Sequence, residues 1–485
     1  MSAIEPYVIG IALLLILSVL ANKATGRLGV PALLVFLLMG MLTGSEGIGG
    51  IDFDNPFYAS GLGIVSLSLI LFSGGLDTRW SEIRPIVKPG IALVTLGIFI
   101  TCVLTGWFAM LVLGLNWKEG ALLGAIVSST DATAVFTVLR AKNVHLKAGL
   151  KPILELESGS NDPIAVLLTL GLIQLITQPS ISSASLIPNF FQQVIIGGAV
   201  GYFAGKGIAS LLNQVKLEFE GLYPVLSVAL VLMTFGSTQW LGGSGFLAIY
   251  LTGLTLGTKN FIHKKSLTLF HDGISWLSTI LMFLTLGLLV FPSRLVAVIP
   301  QGLLLSAFLI LVARPIAVFI SLYGSQFGIR EKALISWVGL RGSAPIILAT
   351  FPLLAGIEKA DLIFNVVFFI VLTSVLIQGT SIPLVARALR VDAPARPKFR
   401  YPIEYVPSGN MKSDLVEVEV PIASPAIGKS ILELHLPKEV LVVLIQRNGN
   451  IIVPKGSTRI ESEDSMLVLA DPENLVATRK ILIPS

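Results

Sequence analysis

Residues 148–177 read AGLKPILELESGSNDPIAVLLTLGLIQLIT. The stretch is long enough to cross a bilayer core as one helix. Its middle nevertheless carries Glu157-Ser158-Gly159-Ser160-Asn161-Asp162-Pro163. Lys151 and Pro152 stand close by, but residues 164–176 alone are short for a span, so the polar run lies at membrane depth. An ionisable group there costs about 2.5–3.5 kcal/mol on insertion scales and needs a reason to be present. Glu157 and Asn161 are four residues apart, as are Ser158 and Asp162, so each pair shares a helix face. A hydroxyl and a carboxylate on one face suit a hard alkali cation, which takes oxygen ligands. Asp162 precedes Pro163, where the backbone is already restricted.

The surroundings are as apolar as that reading requires. The chain has 485 residues, 54% hydrophobic and 13% charged, where a soluble protein carries about a quarter charged. Thirteen apolar spans are expected near 6–22, 30–45, 59–77, 86–115, 119–140, 148–177, 189–212, 221–240, 243–258, 270–290, 296–324, 330–354 and 362–390. Only helices with closed backbone hydrogen bonding fit there. The N-terminal ten residues carry no Lys or Arg, which argues for a retained first helix rather than a cleaved leader. With the N-terminus outside and the spans alternating, the inside loops hold 18 Lys and Arg against 3 outside, which puts the C-terminus in the cytoplasm of a cell or inner membrane. The net charge of +5 is therefore a matter of topology, not of nucleic-acid binding. The lone Cys102 is a small packed side chain and excludes an intrachain disulfide.

Two further polar clusters interrupt the spans. Ser128-Ser129-Thr130-Asp131 breaks the fifth and Gly339-Leu340-Arg341-Gly342-Ser343-Ala344-Pro345 breaks the twelfth. Interrupted helices in matching positions point to a transporter built from inverted repeats. Asp131 fits either a broken helix facing an ion or a polar residue near a span end, with Arg140 following. Arg314 is a buried cation that cannot deprotonate and needs an anion, for which Glu157 is the natural candidate. Arg341 either places positive charge near the site or braces the broken backbone.

Residues 1–390 thus form a membrane domain, 391–405 a Pro- and Arg-rich linker, and 406–485 a small cytoplasmic α+β domain. In the latter, 415–420, 440–446, 451–453 and 466–470 read as strands, 428–434 as a short helix and 472–481 as a closing helix. Arg447-Asn448-Gly449-Asn450 is a hairpin turn signal. A module of about 80 residues is marginal alone and gains by pairing with a second copy.

These motifs resemble the monovalent cation:proton antiporter family, in its first branch of sodium or potassium/proton exchangers. The resemblance rests on Thr130-Asp131, on Glu157-Ser158 with Asn161-Asp162, and on Gly339-Leu340-Arg341-Gly342, and covers about residues 6–390. Gly221-Leu222-Tyr223-Pro224, the run from Met282 to Val290 and Gln378-Gly379-Thr380-Ser381 are similar to the potassium/proton subgroup associated with cell-volume regulation. Residues 404–485 resemble the C-terminal ligand-binding half of regulators of potassium conductance. The resemblance implies a homodimer with thirteen helices, a dimerisation domain and a moving core. It makes Asp162 the cation and proton carrier, with Thr130 and Ser158 adding oxygens. Asn161 and Asp131 would hold the crossed broken helices, and Glu157 would pair with Arg314. One position departs: Leu71-Phe72-Ser73-Gly74-Gly75 has Ser73 where the family often has Glu, so Ser73 is a candidate cation ligand and sodium selectivity does not carry over. The C-terminal module would bind a small regulator such as cyclic di-AMP.

The chemistry follows from Asp162 itself. A carboxylate in a partly dehydrated cavity favours its neutral form, so a proton and a cation compete for one site. Asn161 beside it, rather than a second Asp, argues for electroneutral one-for-one exchange, with Asp131 as the carboxylate that could change the count. Potassium is favoured, with a sodium/proton antiporter as the alternative. A ligand-gated cation channel is less supported, since no Thr-Val-Gly-Tyr-Gly filter occurs. No Gly-x-Gly-Asp signature supports a membrane protease, no nucleotide fingerprint follows a strand, and His145, His263, His271 and His435 are too dispersed for a metal cluster. No enzyme and no resident cofactor are expected.

Overall fold

The computed structural model describes residues 5–28, 31–78, 80–142, 144–147, 149–178, 182, 185–393, 413–421, 424–447 and 450–482. The chain divides into two compact units, Met1–Arg396 and Pro397–Ser485.

The first unit is helical. In chain order it contains α1 (Glu5–Leu28), α2 (Ala32–Thr43), α3 (Pro56–Asp77), α4 (Trp80–Leu113), α5 (Trp117–Ile126), α6 (Ala132–Ala141), α7 (Leu150–Thr177) and α8 (Leu186–Gln214). Then follow α9 (Leu222–Trp240), α10 (Gly245–Gly257), α11 (Lys264–Leu288), α12 (Ile299–Ser321), α13 (Ile329–Trp337), α14 (Ser343–Leu354) and α15 (Ala360–Ala388). Eight of these are long and apolar enough to cross a membrane, and shorter apolar helices complete the set. Counting α5/α6 and α13/α14 as one interrupted span each gives the thirteen expected spans. The expected fifth and twelfth spans are the interrupted ones. Large apolar side chains line the outside, with Phe203 69% exposed and Ile195 66%, as a hydrocarbon solvent permits.

Packing sorts the helices into two groups. One holds α1–α3 and α8–α11; the other holds α4–α7 and α12–α15. Within the first, small residues let backbones touch. A side chain at Gly40 would meet the Leu284 and Gly287 backbone, and one at Gly253 would meet the Phe72 carbonyl. Such close approach is the main source of attraction between helices in lipid. The groups meet where α3 packs on α14 and α7 on α10. Ile347 of α14 faces Gly63 of α3, and Tyr250 of α10 lies against Gly159 of α7. Three helices widen into a single π turn, at Leu93–Gly97, Leu309–Ala313 and Val375–Gly379.

A short antiparallel pair, β1 (His145–Leu146) with β2 (Asp392–Ala393), ties the α6–α7 connection to the chain leaving α15. The start of the expected linker is therefore ordered; its residues 394–405 lie outside the described residues.

The second unit is an antiparallel sheet of β3 (Asp414–Glu419), β4 (Leu441–Arg447), β5 (Asn450–Ile452) and β6 (Ser465–Ala470), in the order β3-β6-β4-β5, closed by α16 (Pro472–Leu482). Arg447 pairs with Asn450, so the hairpin falls where its sequence signal put it; Asn448 and Gly449 themselves lie outside the described residues. Val418, Ile445, Met466, Val468 and Leu482 form its core. The helix expected over 428–434 is absent. Gly428 takes a φ of +81° and His435 one of +46°, which breaks the segment into turns with one bridge from Ser430 to Arg459.

Candidate functional site

The two interrupted spans cross at their breaks. The backbone N–H of Asp131 donates to the carbonyl of Leu340 at 2.7 Å. A side chain at Gly342 would run into the Asp131 carboxylate, which is why the break carries glycine there. Pro345 sits in the first turn of α14, where its missing N–H costs nothing.

Four half-helix ends converge at this crossing, and named groups satisfy three of them. The Arg341 guanidinium is 1% exposed and donates from Nη1 to the carbonyls of Ser128 and Ser129, at 2.8 and 2.7 Å. Those carbonyls follow α5, so Arg341 neutralises a negative helix end. Of its two readings, bracing is the one its contacts support. Its own backbone N–H goes to Ser374 Oγ at 3.0 Å, and Ser374 in turn donates to Gln378 Oε1 at 2.5 Å, in the π turn of α15. Gln378 Nε2 donates to the Trp337 carbonyl at the end of α13 at 2.7 Å. At the start of α6, Asp131 Oδ1 accepts from the Ala134 N–H at 3.3 Å and Ser158 Oγ accepts from the Ala132 N–H at 3.0 Å.

Helix α7 passes beside the crossing unbroken, with Pro163 inside it. Pro163 has no N–H to offer, so the carbonyl of Gly159 has no helical donor. Asn161 Nδ2 donates to Thr130 Oγ1 at 2.5 Å, while Asn161 Oδ1 is buried with no hydrogen bond among the described residues. Ser129 Oγ donates to Asp162 Oδ1. One turn back, Glu157 Oε1 lies 2.6 Å from Arg314 Nη1, both almost wholly buried. A side chain at Gly339 would meet the Arg314 guanidinium at 2.6 Å from Nε, so this ion pair fits tightly beneath the second break.

Asp162, Asp131, Ser129 and Ser158 face a cavity of about 470 Å³ between the two helix groups. Ser73, 5% exposed, lines it from α3, and Tyr250 from α10. Its lining continues to Asp77, Arg140 and Asp272, all exposed, so the cavity reaches the surface on the side of the basic loops.

The expected residues fall together, but their bonding differs in detail from a simple ligand ring. The hydroxyls of Thr130 and Ser158 serve as acceptors for Asn161 and for the α6 backbone. The hydroxyl bonded to Asp162 is that of Ser129, which the sequence reading passed over. It also passed over Asp77, Glu155 and Asp272 on the cavity wall. Their position near span ends made them look like ordinary boundary charges.

Chemically, the arrangement offers the Asp162 carboxylate, with that of Asp131 beside it, and hydroxyl and carbonyl oxygens in a pocket open to the surface. It can exchange a proton for a small cation.

Comparison with known proteins agrees. Residues 11–388 match the family of sodium/hydrogen exchangers, transmembrane, and residues 415–483 match the TrkA-C domain. The chain is 40% identical over 471 residues to the K(+)/H(+) antiporter NhaP of Alkalimonas amylolytica, spanning 97% of this chain and 82% of the relative. It is equally 40% identical to the K(+)/H(+) antiporter NhaP2 of Shewanella baltica (strain OS223), over 96% of this chain and 81% of that one. The fold superposes on the sodium proton antiporter MjNhaP1 from Methanocaldococcus jannaschii with a TM-score of 0.70 at 24% identity, covering 78% of this chain and 97% of that structure.

Proposed function

The chain belongs to the sodium/hydrogen exchanger family, and on that premise we propose that it exchanges potassium for protons, one for one, at Asp162. The observation that carries this reading is the carboxylate of Asp162, set beside the crossed breaks and open to the cavity, while that of the neighbouring Asp131 is tied to the start of α6 through the Ala134 N–H. Water loss there disfavours an empty, charged carboxylate, so the site holds either a proton or a cation. If only occupied forms cross, exchange is obligatory and carries no net charge.

The residue roles follow the contacts. Asp162 carries; Ser158, Thr130 and Ser73 supply oxygens as the cation settles; Asp131, Asn161 and Arg341 fix the crossing; Glu157 and Arg314 fix the helix behind it. The helix group of α4–α7 and α12–α15 is the moving core, and the other group is the scaffold through which two copies pair. The loop-charge bias supports an inner-membrane protein with its N-terminus outside and its C-terminus in the cytoplasm. The cavity then faces the cytoplasm. The 406–485 module is a regulatory domain for a small ligand, a nucleotide such as cyclic di-AMP being one candidate; its match to the TrkA-C domain supports the regulatory role.

Potassium rests on the 40% identical relatives and on Ser73. Sodium is the second reading, favoured by the name of the structural neighbour.

The test is a proteoliposome with a pH dye inside, challenged in turn with potassium, sodium and choline. A proton flux with potassium, unaltered by clamping the membrane potential at zero, is expected. Flux with sodium alone changes the cargo. A net current under the clamp rejects one-for-one exchange.

A further inference from the structure

Pro163 is buried inside α7, four residues after Gly159. In a regular helix the Gly159 carbonyl would accept from the N–H at 163. Proline has no N–H, and its ring crowds the carbonyl one turn back and tilts it away from the helix axis. Among the described residues no side chain or loop amide donates to this carbonyl. A backbone oxygen left in this way costs free energy unless another partner takes it up.

A second observation puts that oxygen beside the carrier. Gly159 is half-buried and lines the cavity, and having no side chain it can present only backbone there. Its other flank is closed, since a Cβ at Gly159 would run into the Tyr250 ring of α10. Asp162 follows three residues later on the same face of α7. Helical side chains lean toward the N-terminus and cover the preceding turn, so the Asp162 carboxylate lies over the turn that contains Gly159. Ser129 occupies Oδ1 of that carboxylate, while Oδ2 makes no hydrogen bond among the described residues. The neighbouring hydroxyls are already engaged as acceptors: Ser158 Oγ from the Ala132 N–H and Thr130 Oγ1 from Asn161.

From this we infer that the Gly159 carbonyl, released by Pro163, is a ligand of the transported cation, with Pro163 as its positioning residue. The inference rests on the exchange reading above and adds a backbone oxygen to that site. Carbonyl oxygens can replace the hydration shell of an alkali cation as it enters a narrow site. A carbonyl brings an oxygen without a charge, so the count of one cation for one proton is unchanged. Proline at 163 keeps that oxygen from closing on its own helix.

The experiment is equilibrium binding of radioactive rubidium, as the potassium surrogate, to the purified full chain in detergent at alkaline pH, where protons do not compete. Pro163→Ala restores the N–H and should weaken rubidium binding about five- to tenfold. Pro163→Val also restores it and should weaken binding to a similar extent. Lactic acid placed at position 163 removes the ring but leaves an ester oxygen where the N–H would be. Binding should then return to within about twofold of wild type. The alanine and lactic-acid proteins differ only in that N–H and the ester oxygen that replaces it, so a merely structural effect of losing the ring would weaken both alike. That result, or a wild-type affinity in Pro163→Ala, overturns the assignment. Asp162→Asn gauges the exchange reading separately: rubidium binding that survives there would sink that reading, while the difference between alanine and lactic acid would still judge the carbonyl.

Discussion

Arg314 Nη1 lies 2.6 Å from Glu157 Oε1, with side chains 4% and 2% exposed. Neither charge can reach water, so each depends on the other. Glu157→Gln leaves a guanidinium buried without its anion and should cost about 3–5 kcal/mol. Glu157→Leu together with Arg314→Met should be closer to wild type than either single change. Thermal unfolding in detergent measures both, and additive losses in the double variant would show that the pair is not coupled.

The close fit at the crossing makes a second prediction. Gly342→Ala puts a methyl group against the Asp131 carboxylate, while Gly236→Ala on α9 meets nothing within 4 Å. The first should cost about 1–3 kcal/mol by overpacking and abolish exchange. The second should leave stability within about 0.5 kcal/mol. Equal effects at the two positions would mean that the crossing tolerates rearrangement.

Arg341 separates charge from geometry. Its Nη1 reaches two carbonyls at the end of α5. Arg341→Lys keeps the charge but has no planar fork, so part of the exchange rate should survive. Arg341→Ala frees both carbonyls in a buried place and should remove exchange and lower the melting temperature. A fully active Arg341→Ala variant would refute the bracing role. Comparing initial rates of the two variants with protein yield and melting temperature makes the check.

On the opposite face, Glu46 accepts from Ser293 Oγ at 2.5 Å and from the Ser293 N–H at 2.8 Å. The Ser293 side-chain and backbone hydrogen bonds hold the Glu46 carboxyl below its ordinary value of 4.5. A depressed folded value means that the contact stabilises above the unfolded value and is lost as pH falls through the folded one. The Ser293 amide should therefore be protected from hydrogen exchange at neutral pH and lose protection only in acid below the ordinary glutamate range. Glu46→Gln should remove that pH dependence; a profile that persists in this variant would assign it elsewhere.

Much of this was legible in the sequence because membranes punish polarity. Ser128–Asp131, Glu157–Pro163 and Gly339–Pro345 stand out against apolar runs, and all three meet at one place. What sequence could not rank was the hydroxyls. Ser129 and Thr130 are adjacent, and only the path of the unwound backbone decides that Ser129 reaches Asp162 while Thr130 takes Asn161. Asp77 and Asp272 were missed because a carboxylate near a span end has a bland explanation until a cavity joins two of them. The π turn before Arg314 leaves no local signature, since its residues 309–313, Leu-Ile-Leu-Val-Ala, fit any helix. The turns at 428–434 were misread because Ile431-Leu432-Glu433-Leu434 suits a helix when the strain at Gly428 and His435 is unseen.

The most direct measurement of the central claim is the half-saturating potassium concentration of exchange as a function of pH, in reconstituted wild type. Competition of one proton and one cation at Asp162 predicts that, on the acid side, it rises about tenfold for each unit fall in pH while the rate at saturating potassium stays constant. A half-saturating concentration that ignores pH, with the saturated rate falling instead, would contradict a shared site.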